Sequence, residues 1–337
     1  MHSQGLRFCM RLALLLAFVV GGLAATAESG QSPPPSPYAV HPLHYINTAF
    51  ENASPLFYEI DPNGNVVISL VYDQERRSPN RANGHWHFRV EGEPGSDIVL
   101  ILQNFDNIWN GRVGSPVRSG KTACYTSVDG EHWSWIPTEL LEENRLKISI
   151  HMDGPSLYVA RLEPYTLKHL GRLLGSLKGK PNVAVETIGR TVQGRLVEII
   201  RVGRVDAPRR VFIRARAHAW EPGGNWVVEG MIERLLGPDG AKYLDEFCLY
   251  VMPMANKDGV ALGHTRFNLA GMDLNRKWDK PADTEHNPEN HALEQWLERM
   301  IARGRKPDLA IDFHNDAGGL VHIARPDVDL DAYLGAL

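Results

Sequence analysis

The sequence predicts an all-β sandwich over residues 42–162, followed by an α/β domain over residues 163–337 built as a mixed, largely parallel sheet flanked by helices. Three observations carry this expectation. With 337 residues, 43% hydrophobic and 23% charged, the chain has ordinary globular composition and length for about two cores. Up to Leu162, short alternating runs are separated by turn signals, with no long helical pattern. From Pro164 onward strands alternate with helices, the pattern of a sheet whose crossovers are helical.

The first 27 residues stand apart from the fold. Arg7 and Arg11 flank the start of an unbroken apolar stretch, Leu12–Val20, and Ala25-Thr26-Ala27 offers the small-x-small pattern of a signal-peptidase site. Residues 1–27 are therefore expected to be a signal peptide, and the protein to be exported to a periplasm or the extracellular medium. Residues 28–41, rich in Pro and Ser, read as an extended linker. In the β block, Val66–Tyr72 follows an Asn63-Gly64 turn, and His85–Val90 alternates polar and apolar. Ile98–Leu102 is a buried-strand run, Asp129-Gly130 marks a hairpin, and Leu146–Ile150 alternates again.

In the second block, Tyr165–Lys178 reads as a helix, and Val183–Gly189 with Arg195–Val202 as a hairpin. Val211–Ile213, Phe247–Met252 and Leu309–Phe313 read as strands, and Asn225–Leu236 as a helix. Asn287–Arg303 is the strongest helix, with Asn287 as cap and Pro288 in the first turn. Leu293, Trp296, Leu297, Met300 and Ile301 fall on one of its faces.

Several function classes are disfavoured. A net charge of −4 argues against a nucleic-acid partner bound through bulk positive charge. No apolar run reaches the roughly 18 residues of a membrane-spanning helix, so no span is expected after signal cleavage. Three cysteines exclude a disulfide-dense scaffold. Cys124 and Cys248 remain after cleavage, either paired in an oxidising compartment or as two buried free thiols. Nothing in the sequence indicates an oligomeric state.

The chemistry concentrates in a metal-ligand pattern. His-x-x-Glu lets an imidazole and a carboxylate converge on one ion, and the chain carries it three times: His218/Glu221, His286/Glu289 and His291/Glu294. His291 lies opposite the apolar face of its helix and reads as solvated surface, and His286 sits in a polar loop. His218 directly follows a strand and Glu221 precedes a helix, and sites on open α/β sheets form at the carboxyl ends of strands. His314 ends the next strong strand and supplies a third ligand. Two His and one Glu leave a fourth zinc position open for water or substrate. Two ordinary polar loops are the alternative reading of the same residues.

A second cluster lies between these ligands. His218-Ala219-Trp220-Glu221, Asn256-Lys257-Asp258-Gly259-Val260, Arg266, Asp273-Leu274-Asn275-Arg276 and His314 together resemble the zinc metallocarboxypeptidases of the carboxypeptidase A type. The resemblance covers roughly residues 45–330. It is greatest to the cytosolic-carboxypeptidase branch, whose members carry a β-sandwich ahead of the peptidase domain. It implies one Zn2+ per chain held by His218, Glu221 and His314, and Asn275 and Arg276 as the pair holding the substrate's terminal carboxylate. It also implies Arg266 as the arginine that polarises the scissile carbonyl and stabilises the oxyanion. A planar guanidinium suits both tasks. The implied function is removal of C-terminal residues from peptides or proteins.

Two departures stand out. Many members have Pro-Gly where this chain has Ala219-Trp220. In the family a glutamate on a later strand is the general base, whereas Glu298 is the last glutamate here. Asp316, Asp327, Asp329 and Asp331 are carboxylates, but none matches that position, and the family's tyrosine near the scissile bond is expected downstream rather than at Tyr333. The sequence is therefore expected to represent a C-terminally incomplete protein, inactive as it stands, with its base beyond Leu337. The alternatives are an amidase or deacylase on the same scaffold, for instance one acting on cell-wall peptides, and a non-catalytic zinc- or peptide-binding protein with the sandwich as interaction module.

Overall fold

A computed structural model describes residues 41–117, 122 and 124–315. The expected signal peptide and residues 28–40 of the linker lie outside the described residues, as do Asp316 and Tyr333.

The first block is a sandwich of two five-stranded sheets. One is antiparallel throughout, in the order Leu43–Asn47, His87–Gly92, Ser156–Ala160, Cys124–Ser127, Ser134–Ile136. The other runs Glu139–Leu141, Arg145–His151, Asp97–Gln103, Val66–Leu70, Leu56–Ile60. The strand Val66–Leu70 buries every second residue, as its alternation predicts, and the inner faces meet in a core that includes Trp86, Phe88, Leu100, Phe105 and Ile148. Val66–Leu70 pairs in parallel with Asp97–Gln103. The long connection between them, residues 71–96, makes this possible, because a tight hairpin can only join antiparallel neighbours. Part of that connection enters a small third sheet that the sequence pattern does not announce, in the order Asp73–Gln74, Arg81–Ala82, Asn107–Trp109, Arg112–Gly114. Strands of two or three residues are too short to carry a period.

The second block is a five-stranded mixed sheet between helices. Its order is Val183–Arg190, Leu196–Val202, Phe247–Met252, Arg209–Ala215, Leu309–Phe313. The predicted hairpin makes the antiparallel edge, while Arg209–Ala215 lies parallel to both its neighbours. Ile213 and Ala215 face a core shared with helices Leu167–Ser176 and Gly223–Leu236. Phe212 faces the opposite core, where Trp296 of helix Pro288–Ala302 packs against the rings of Phe212 and Tyr250 at 5.8 and 5.4 Å. Cys124 and Cys248 are buried and free, and burial pushes the Cys124 thiol up to about 12. Among the described residues no helix is long and apolar enough to cross a membrane.

The two blocks are joined by hydrogen bonds and close backbone contact. Asn52 donates from its backbone to Ala261 O at 3.0 Å and from its side chain to Val260 O at 2.9 Å. Gly263 has φ +65°, and a Cβ there would lie 2.1 Å from Ala53 O, so only glycine lets the chains approach this closely.

Candidate metal centre and the site around it

The parallel pairing of Arg209–Ala215 with Leu309–Phe313 decides where the ligands fall. Ala215 is in register with Phe313, so the chain segments leaving these two strands emerge side by side, the first carrying His218 and the second His314. Beyond Ala215 the backbone turns sharply through Arg216, at φ +61°. The buried Arg216 guanidinium donates to Ala219 O at 2.7 Å and to Asn225 Oδ1 at 2.9 Å, tying the turn to the helix that follows. Gly224 lets that helix approach the sheet: a Cβ there would meet Phe313 Cβ at 2.8 Å. Trp220 has no positive φ, so the substitution at the Pro-Gly position leaves the loop unstrained. The left-handed residue is Arg216 instead.

His218, Glu221 and His314 offer ligand atoms that all lie within 4.8 Å of one another. Glu221 Oε1 is 2.8 Å from His218 Nδ1, and Oε2 is 2.8 Å from His314 Nδ1. His218 and Glu221 are buried, at 4% and 5% exposure. Burial alone would raise the Glu221 carboxyl, but hydrogen bonds from the two imidazoles outweigh it and hold the group at about 2. Burial likewise opposes charge on His314, yet Asp312 and Glu221 raise it to about 9. Two imidazole nitrogens and a carboxylate, all converging and each already facing an opposite charge, form a donor set that fits zinc.

The far side of each ring also faces a carboxylate. His218 Nε2 is 3.2 Å from Asp273 Oδ1, and His314 Nε2 is 3.3 Å from Asp312 Oδ2, which also pairs with Arg214. Asp273 carries the network onward. Its Oδ2 accepts from Arg266 Nε at 2.7 Å and its Oδ1 accepts from Asn275 N at 2.9 Å. The Arg266 guanidinium lies over the Trp109 ring at 4.4 Å, and the exposed Arg276 guanidinium lies 5.4 Å from the same ring. Every residue proposed from the sequence is thus linked by direct contacts: the triad through Asp273 to Arg266 and Asn275, and Arg266 through Trp109 to Arg276. Beside Arg276 opens a cavity of about 700 Å³ lined by Trp109, Met272, Glu75 and Lys277, among others.

The other two His-x-x-Glu pairs do not converge. His286 Nδ1 contacts Asp283 at 3.0 Å, while the Glu289 carboxylate is wholly buried and accepts from Asn268. Glu294 accepts from Ala282 N, away from His291. Sequence reasoning missed Asp73, Trp109, Asp312 and the bridging role of Asp273. Asp273 lies inside the Asp273-Leu274-Asn275-Arg276 motif and Asp312 inside the strand Leu309–Phe313, whereas Asp73 and Trp109 have no local signature.

Residues 173–315 match the zinc carboxypeptidase family. A metallo-carboxypeptidase from Pseudomonas aeruginosa, solved in complex with (2-guanidinoethylmercapto)succinic acid, superposes with a TM-score of 0.69 at 29% identity, over 81% of this chain and 70% of that one. A metallo-carboxypeptidase from Burkholderia cenocepacia gives 0.69 at 26% identity, with 81% and 70% covered. Cytosolic carboxypeptidase 2 of Danio rerio is 33% identical over 139 residues, 37% of this chain but only 19% of that protein's length. The ligand geometry, the strand order and these similarities agree, and it is the zinc carboxypeptidase domain that residues 173–315 of this chain resemble.

Proposed function

We propose that this protein is an exported, zinc-dependent metallocarboxypeptidase that removes C-terminal residues from peptides or proteins. The observation that carries this reading is the continuous contact path from His218, Glu221 and His314 through Asp273 and Arg266 to Trp109 and Arg276. It supports the reading because the candidate triad and two guanidinium groups belong to one chain of contacts. His218, Glu221 and His314 would hold one zinc per chain, which would supply Lewis acidity toward a peptide carbonyl or water.

The chain's own residues account for binding and orientation. Arg266 commits its Nε to Asp273, and its two terminal nitrogens make no hydrogen bond among the described residues, so they are available to a carbonyl oxygen as negative charge develops. Arg276 donates to Asn275 O at 2.7 Å and otherwise faces the open cavity, where a guanidinium can take a terminal carboxylate bidentately. Asp273 and Asp312 are engaged by ligand imidazoles and arginines, so neither serves as the general base. The signal-peptide pattern of residues 1–27 supports export.

The test, made on the protein in its natural full length, is Arg276→Ala assayed on a peptide with a free C-terminus and on its C-terminal amide. The free acid should lose about tenfold or more in kcat/KM relative to the amide, because the amide never makes the full charge-assisted contact. Equal losses on both would move the reading to an amidase or deacylase. Zinc binding without turnover on either would move it to a binding protein.

A further inference from the structure

We propose that the small sheet of the N-terminal block is a working part of the site, with Asp73 and Trp109 as positioning residues that fix Arg266 from both ends. Only the kinetic consequence of this inference rests on the carboxypeptidase reading.

Within its own block the loop carrying Arg266 is held by its carbonyls, Asn256 Nδ2 donating to Arg266 O at 3.2 Å and to Phe267 O at 3.1 Å. Its amide hydrogens are taken by one carboxylate from the other block. Asp73 Oδ2 accepts from Arg266 N at 2.7 Å and from Phe267 N at 2.8 Å, and Oδ1 accepts from Thr265 N at 3.3 Å. Three successive backbone donors aimed at one carboxylate form an anion-binding nest, here filled by a side chain of the same protein. The Thr265 hydroxyl accepts from Gly84 N at 2.9 Å, and Thr265 O accepts from Trp220 N at 3.0 Å, in the loop between His218 and Glu221. The pinned segment therefore also braces the metal-ligand loop.

The side-chain end of Arg266 is fixed by a different strand of the same sheet. Trp109 ends strand Asn107–Trp109, and the tight turn through Asn110 and Gly111 holds it opposite Arg112. Its ring supports the Arg266 guanidinium at 4.4 Å while Asp273 fixes Nε. One face and one edge of the guanidinium are thereby occupied, which leaves a single direction for the terminal nitrogens. A displacement of about 1 Å at a charge-stabilising group costs about 10²-fold in rate. Small losses of order at Asp73 or Trp109 should therefore be visible in turnover.

The test uses the protein in its natural full length, as parent and as Asp73→Ala, Trp109→Ala and Trp109→Phe. In Asp73→Ala, the amides of residues 265–267 should exchange with deuterium at least about tenfold faster, because three donors lose their acceptor. The strands Arg145–His151 and Asp97–Gln103 should keep the parent rate, which excludes general unfolding. In Trp109→Ala, the Nε–H signal of Arg266 should lose the ring-current shift of the indole, and Trp109→Phe should restore most of it. On an N-acylated dipeptide, Asp73→Ala and Trp109→Ala should lower kcat by about 10–100-fold at unchanged zinc content, with the Phe variant intermediate. Parental exchange at 265–267 in Asp73→Ala, or an unmoved Arg266 signal in Trp109→Ala, would overturn the inference. A parent without turnover would instead sink the proposed function, leaving exchange and the Arg266 signal to decide the positioning.

Discussion

Asp273→Asn removes a charge from the centre of the site without changing its shape. Asp273 is 3% exposed and makes three contacts: His218 Nε2 at 3.2 Å, Arg266 Nε at 2.7 Å and Asn275 N at 2.9 Å. Burial works against its ionised form, but His218, Arg266 and the Asn275 amide hold the carboxyl far below its ordinary value. Asparagine keeps one acceptor oxygen and replaces the other with an N–H₂ donor. If the oxygen serves His218 and Asn275, the new donor faces Arg266 Nε, donor against donor. The remaining hydrogen bond to His218 loses its charge assistance and about half its strength. Loss of such a partner behind a metal-ligating imidazole typically costs about 10–100-fold in affinity, or ~1.4–2.7 kcal/mol. The assay is zinc competition against a chromogenic chelator at neutral pH, parent against variant. We expect a 10–100-fold weaker Kd and an Arg266 side chain that no longer holds one orientation. A Kd within about twofold of the parent would refute the argument that Asp273 orients His218.

Three further outcomes can be checked. His218→Ala and His314→Ala should abolish stoichiometric zinc binding measured by atomic absorption, while His291→Ala leaves it intact; the reverse would mean that the wrong His-x-x-Glu pair was chosen. His87 is buried among the rings of Phe50, Trp133 and Tyr158, and burial, aided by the nearby His85, pushes it down to about 3 from 6.5. Its contribution to stability is therefore complete above pH 6.5 and is lost as pH falls toward 3, by up to ~1.4 kcal/mol per pH unit. His87→Phe should flatten that slope in urea melts at stepped pH, and an unchanged slope would rule His87 out as its source. Gly263→Ala should destabilise the fold by about 2–4 kcal/mol, from the left-handed backbone and the contact with Ala53 O. A shift in denaturation midpoint equivalent to less than ~0.5 kcal/mol would show that the two blocks separate there at little cost.

The sequence by itself determined the elements and the order of the ligands. Alternation in Val66–Leu70, the Pro288 start of its helix and the apolar run of Phe247–Met252 are local signals, and each became the element it predicts. His218 and His314 were legible as candidates because each lies just beyond the carboxyl end of a strand, and the carboxyl ends of parallel strands are where side chains from distant segments can meet. Spacing could not choose among three His-x-x-Glu pairs. The Ala215–Phe313 register made that choice, and register is a property of two strands rather than of either one. The parallel pairing of Val66–Leu70 with Asp97–Gln103 and the small sheet around Trp109 were equally illegible. So was the reach of Asp73 to Arg266, across 193 positions of sequence. Strands of two residues carry no period, and a carboxylate bound to a distant backbone leaves no pattern beside itself. Only the packing of one block against the other decides which Asp becomes an anchor and which Trp becomes a wall of the site.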